Sequence, residues 1–199
     1  MMLVEETTVP QQALPVTTFK DHMRMGSGFS DDGMQDIVLE GFLRAALAAI
    51  EARTGKITIE RTFSLTLTAW RDGRAQALPL APVRTIIGVN LLDRSGSEVQ
   101  VDTASYRLIE DAHRPHMEAF GSALPSVPQG GAVRIYMSAG YGLDWSDLPA
   151  DLAQAVLMLA AHFYEYRHES AMSGRQMPFG VSALIEGYRN IRLFSGGHL

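Results

Sequence analysis

The sequence predicts an α+β protein in which both ends of the chain build a helical unit and an antiparallel β-sheet lobe is inserted between them. Two observations carry this. The apolar period is helical before Gly55, changes to two at Lys56 and returns to 3.6 at Ser146. Turn signals, among them Asp72-Gly73 and Asp93-Arg94-Ser95-Gly96, punctuate the period-two stretch. A chain of 199 residues with 46% hydrophobic and 20% charged side chains is long enough to bury a core without staples. It contains no cysteine, which excludes disulfides, a thiolate nucleophile and Cys-ligated metal centres.

The expected organisation is an extended N-terminal arm over 1–16, a helical unit over 17–55 and 143–194, a β lobe over 56–142 and a frayed end over 195–199. Met1 to Pro15 has two prolines and no hydrophobic period, so it reads as an arm that a partner orders. Thr17 or Thr18 caps a short helix from Phe19 to about Gly26, where Gly26-Ser27-Gly28 interrupts it. Asp31 or Asp32 caps a second helix running to about Arg53, with Ile37, Leu43, Leu47 and Ile50 as apolar positions and Gly55 as the C-terminal glycine. Its alanines, Ala45, Ala46, Ala48 and Ala49, favour helix and permit close helix approach.

From Ile57 to Ala69, apolar residues alternate with threonines and serine, the pattern of a long half-buried strand. Arg61 breaks the apolar face and marks either a bulge or the point where the strand leaves the core. Leu78 to Pro82 reads as edge structure because of its two prolines. Strands follow at 83–92, 98–101, 106–109 and 132–139, with 112–129 as a proline-rich loop. From Ser146 a helix carries Leu148, Leu152, Val156, Leu159, Phe163 and Tyr166 on one stripe, with Pro149 in its first turn. A polar loop at 170–177 leads to a last helix opened by Pro178 and carrying Val181, Leu184, Ile185 and Tyr188. The Thr-rich outer face of the strand at 58–68 suits solvent or a lateral neighbour, so the β lobe is expected to be peripheral to whatever the helices build.

Net charge is -5 and the isoelectric point is about 5.6, and the basic residues are scattered, which argues against tight binding of nucleic acid through a broad basic face. Glu5 and Glu6 stand where a signal peptide needs positive charge, and no apolar run approaches the ~20 residues of a membrane span. A soluble protein made in the cytoplasm, with no membrane partner, is expected.

Enzyme motifs fail on inspection. Gly55-Lys56 lacks the earlier glycine of a phosphate-cradling loop, Gly26-Ser27-Gly28 meets Asp31 where a dinucleotide fingerprint needs its third glycine, and no serine sits in a nucleophile elbow. His113 and His116 fall in a loop and read as solvated. His162 and His168 are six residues apart, about 240° around a helix, where two ligands on one face want four. The cluster His162, Glu165, His168 offers an acid-base alternative, against its reading as the polar end of a helix. Trp70, Tyr136, Tyr141 and Trp145 have acidic rather than basic neighbours, which disfavours base stacking. No cofactor, metal or catalytic residue is expected.

Several stretches, in order and spacing, resemble one family. They are Leu14-Pro15-Val16-Thr17, Asp31-Asp32, Ile50-Glu51-Ala52-Arg53-Thr54-Gly55, Leu80-Ala81-Pro82-Val83 and Ser138-Ala139-Gly140-Tyr141-Gly142. Leu148-Pro149-Ala150-Asp151-Leu152, Ala161-His162-Phe163-Tyr164-Glu165, Met177-Pro178 and Tyr188-Arg189 continue the series, so that it spans about 14 to 194. The chain is similar in this to the head-tail connector, or adaptor, proteins of long-tailed bacteriophages and gene transfer agents. The resemblance implies a structural ring, usually of twelve subunits, that docks beneath the portal protein of a capsid and extends the DNA channel toward the tail. It implies further partners in a stopper or tail-completion protein and in double-stranded DNA that passes without specific binding. It places the protein in a virion or phage-like particle, without catalysis. A stopper or tail-completion role in the same particle is the nearest alternative.

The resemblance also bears on the C-terminal segment. Arg189 and Arg192 alternate with Ile191, Leu193 and Phe194 beyond the last helix, leaving apolar side chains with no helical face to join. Connector proteins insert a terminal segment between portal subunits, which makes Tyr188, Arg189, Ile191, Arg192, Leu193 and Phe194 the candidate portal-binding residues.

Overall fold

The computed structural model describes residues 1–25, 33–167 and 177–189 of the chain. Four helices, α1 (Val16–His22), α2 (Gly33–Thr54), α3 (Ala150–Glu165) and α4 (Phe179–Ile185), flank eight strands in sequence. The strands are β1 (Met2–Glu5), β2 (Arg61–Leu67), β3 (Ala75–Ala77), β4 (Val83–Leu92), β5 (Glu98–Gln100), β6 (Tyr106–Ile109), β7 (His116–Ala119) and β8 (Ala132–Ala139). The mixed α+β class expected from the change of period is what the chain adopts.

Two hydrophobic cores form, one on each side of the change of period at Lys56. In the helical core, Leu39, Leu43, Leu47 and Ile50 of α2 meet Leu152, Val156 and Leu159 of α3 and Val181 and Ile185 of α4, all buried. The spacing of these positions is that of one helical face on each element. Phe19 of α1 is fully buried in the same core, and Lys20 ties α1 to α2 through Asp36 at 2.5 Å. In the β core, a five-stranded antiparallel sheet in the order β1-β2-β8-β4-β5 is covered by a three-stranded sheet in the order β3-β7-β6. Phe63 and Leu65 of β2, Ile135 and Met137 of β8, Met117 of β7 and Tyr106 of β6 fill the space between the sheets.

Several elements differ from their sequence expectation. The N-terminal stretch is held by its own chain. Residues 2–5 pair with β2, and Val9, Ala13 and Leu14 are buried in the helical core. The first helix begins at Val16, ahead of both threonines, with Pro15 at the N-cap and no side-chain cap, because the Pro15 carbonyl already accepts from the Phe19 amide at 2.9 Å. The strand expected from Ile57 to Ala69 is limited to 61–67. Ile57 donates to the Ala81 carbonyl and Glu60 to that of Gly142, so 56–60 form a crossing between helix and sheet rather than ladder. Arg61 pairs in register with Ala139. It is therefore no bulge; bulges lie in β4 instead, between Val83 and Thr85 and between Ile86 and Gly88. The loop expected over 112–129 contains β7, and β3 was not foreseen. Pro149 is the N-cap of α3, one residue outside the helix, preceded by a 3-10 turn at Trp145–Asp147. Gly55 closes α2 with a φ of 69°, and Gly140 has a φ of 142° and lies where a Cβ would strike the Glu60 backbone. No described helix is long and apolar enough to cross a membrane.

Candidate interaction surfaces

The junction of the two cores is built around two charged side chains. Glu51, near the end of α2, accepts from the Thr58 amide at 2.9 Å, the Thr58 hydroxyl at 2.5 Å and Arg61 Nη2 at 2.6 Å. Arg61 also reaches Glu5 of β1 at 3.2 Å. The apolar-face defect in the sequence is thus the pin that joins α2, β1 and β2. Beside it Lys56, 1% exposed, donates to the Ala112 carbonyl and to His113 Nδ1 at 3.1 Å. Desolvation pushes the Lys56 ammonium below its ordinary value, partly offset by Asp111. Asp111 is held below the carboxylate range by the amides of His113 and Arg114. Because an ammonium only donates, Nδ1 of His113 is already engaged as an acceptor.

The histidine and carboxylate cluster does not assemble a site among the described residues. His162 on α3 stacks near Tyr166, with ring centroids 4.6 Å apart, while Glu165 is exposed at the helix end. His168 lies outside the described residues. His116, expected in a loop, opens β7 between Ala77 and Ile109, and its Nδ1 lies 3.4 Å from the Arg114 carbonyl. Among the described residues no group of three His, Asp or Glu side chains could hold a metal.

At the C-terminal end, α4 passes into a 3-10 turn at Glu186–Tyr188. Tyr188 donates its hydroxyl to Asp151 Oδ1 at 2.6 Å and meets Tyr141 edge to face at 6.5 Å. Burial and the neighbouring Asp151 carboxylate raise the Tyr188 phenol well above its ordinary value. Arg189 pairs with Glu186 at 3.0 Å. Of the six candidate portal-binding residues, Tyr188 is therefore latched to α3, while Arg189 stays exposed with its pair inside the 3-10 turn. Ile191, Arg192, Leu193 and Phe194 lie outside the described residues. Next to this latch runs an open surface groove lined by Glu60, Arg84, Glu110, Asp111, Tyr141 and Asp144. Its carboxylates outnumber its one arginine, which disfavours phosphate.

Sequence reasoning overlooked the apolar surface. Phe179 at the start of α4 is 89% exposed, and Ile37 and Val38 on α2 are 68% and 50% exposed. For α2 a signal was present, since Ile37 and Val38 lie one turn ahead of Gly41 and in line with Ala45, Ala48 and Ala52. For the Tyr188–Asp151 latch there was none, the partners being 37 residues apart.

The comparisons with known proteins point one way. A family profile described as phage gp6-like head-tail connector protein matches residues 107–189. A solved structure titled as the neck of an empty GTA particle computed with C6 symmetry contains a chain 53% identical to this one, covering 98% of this chain and 99% of that one, with a TM-score of 0.90. A virion of a native gene transfer agent particle gives 53% identity and a TM-score of 0.87, and the neck of a native GTA particle computed with C12 symmetry gives 49% and 0.84, with the same coverage. No curated protein sequence matches. With a near full-length likeness to neck chains and the profile over its C-terminal half, the chain belongs to the phage gp6-like head-tail connector family.

Proposed function

We propose that this head-tail connector assembles as a ring in the neck of a gene transfer agent or phage-like particle, beneath the portal protein, and extends the DNA channel to a stopper or tail-completion protein. The observation that carries the reading is the 53% identity over 98% of the chain to a chain in a particle neck solved with six-fold symmetry. Its twelve-fold counterpart favours a ring of twelve. The acidic balance supports passage of DNA without tight binding, because a conduit that neutralised phosphates would retain its cargo. The role is structural, without catalysis. The β sandwich is the peripheral lobe, and the helices make the ring.

The portal anchor in this reading is the segment beyond the Tyr188 latch. Each copy offers only the ten residues after Arg189, so single subunits bind weakly and the ring supplies strength through effective concentration. The test is a chain ended after Arg189, which keeps the Tyr188–Asp151 bond. It should melt like the full chain yet be missing from the necks of DNA-filled heads. Normal incorporation would show that the portal anchor lies elsewhere.

A further inference from the structure

We propose that the outer face of α2 is a ring contact that receives the Phe179 corner of α4 from a second copy of this chain. The proposal rests on the ring reading above and adds the surfaces that close it.

The face is unusual for an exposed helix. At 100° per residue, Ile37, Val38, Gly41, Ala45, Ala48 and Ala52 fall within one arc of about 100° on the side opposite Leu43, Ala46 and Ile50. All six are exposed, and no charged or polar residue interrupts the arc along about four turns. The charged side chains of α2 are placed to its flanks, where Arg44 donates to the Val9 carbonyl and Glu51 holds Thr58 and Arg61. A surface helix turns a polar face to water, and one that is apolar on both sides is covered on both. Gly41 points the same way. A Cβ there would meet nothing within 4 Å inside the chain, so the fold of the single subunit gives no reason for a glycine in mid-helix, whereas close approach from outside does.

The occupant follows from placement. In a ring each copy must present two different and complementary patches on opposite flanks, since the contact is head-to-tail. α3 packs against both α2 and α4, while α2 and α4 make no extensive contact with each other, so the outer sides of α2 and α4 are the two flanks of the helical layer. One flank carries a low-relief helix face of Gly41, Ala45, Ala48 and Ala52, with Ile37 and Val38 at one end. The other carries a single aromatic, Phe179, 89% exposed, at the first position of α4 behind the Met177-Pro178 entry. An exposed ring of that size packs closely on a face whose side chains are no larger than methyl and finds there the apolar area it lacks at home.

The absence of cysteine makes the test clean. Ala48→Cys and Ala183→Cys, the latter exposed one turn beyond Phe179 on the same face of α4 so that Phe179 itself is kept, are introduced singly and together into the full chain in particle-producing cells, and purified particles are treated with a bismaleimide spanning about 8 Å, beyond the reach of a direct disulfide. The double variant should run as a ladder of covalent multimers and each single variant as a monomer. Dimers from Ala48→Cys alone would indicate a two-fold contact and overturn the proposal. A neck map that shows a ring of this chain while the double variant stays monomeric would overturn the proposal and leave the ring standing; a neck without such a ring would remove both. As a second arm, Ala48→Arg should melt within about 2 °C of the parent, because exposed substitutions alter stability little, but occupy necks about tenfold less, because the charge would be buried unpaired. Normal occupancy by that variant would also overturn the proposal.

Discussion

Glu51 shows how one side chain can hold two cores in register. Its side chain is 11% exposed and that of Arg61 6%, and it serves three donors, two from Thr58 in the crossing segment and one from Arg61 at the start of β2. Removing one partner of such a buried pair leaves the other desolvated and uncompensated. Glu51→Ala should therefore lower stability by about 3 kcal/mol, the low end for buried pairs because Glu5 still reaches Arg61; urea denaturation of the isolated chain measures it. A loss below about 1 kcal/mol, the level of an exposed pair, would mean that water reaches the junction. Gly41 makes the opposite case. With no atom within 4 Å of its missing Cβ, Gly41→Ala should stabilise the isolated chain by close to 1 kcal/mol, or about 2 to 4 °C in melting temperature for a chain of this size. A lower melting temperature would show that the backbone at Gly41 needs glycine for its own fold.

At the scale of elements, legibility followed the strength of the local period. α2 and α3 were readable because each presents an apolar stripe over several turns, and their C-terminal or N-terminal punctuation, Gly55 and Pro149, lies where chain geometry needs it. β8 was readable for the same reason at period two, and β4 from a β-branched apolar run that ends at the Asp93–Gly96 turn. The covering sheet was legible only in β6. β3 has three residues and β7 four, and β7 is a strand because β3 and β6 flank it, with Gln76 opposite Met117 some forty residues away on one side and Leu108 opposite Met117 on the other. β1 was misread for a related cause. Four residues, all exposed, carry no burial pattern, and the strand exists because β2 offers an edge. The shortened β2 teaches the converse, since alternation continued through 57–60 although those residues turn to meet Ala81 and Gly142. Of the six candidate C-terminal residues, Tyr188 and Arg189 lie among the described residues, and the Tyr188–Asp151 bond was not legible because sequence spacing does not associate partners 37 positions apart.

At the scale of the whole molecule, both lobes carry exposed apolar side chains. The helical layer exposes Ile37 and Val38 on α2 and Phe179 on α4, while the β sandwich closes its own core and exposes Ile87, Val99 and Phe120 beside polar pairs such as Arg134 and Glu98 at 2.8 Å. A protein that joins head to tail acts through its surfaces. The most direct measurement is electron microscopy of particles from cells lacking this protein. Filled heads and free tails that are not joined are expected, with joining restored by the full chain supplied in trans. Normally joined particles in its absence would contradict the connector role.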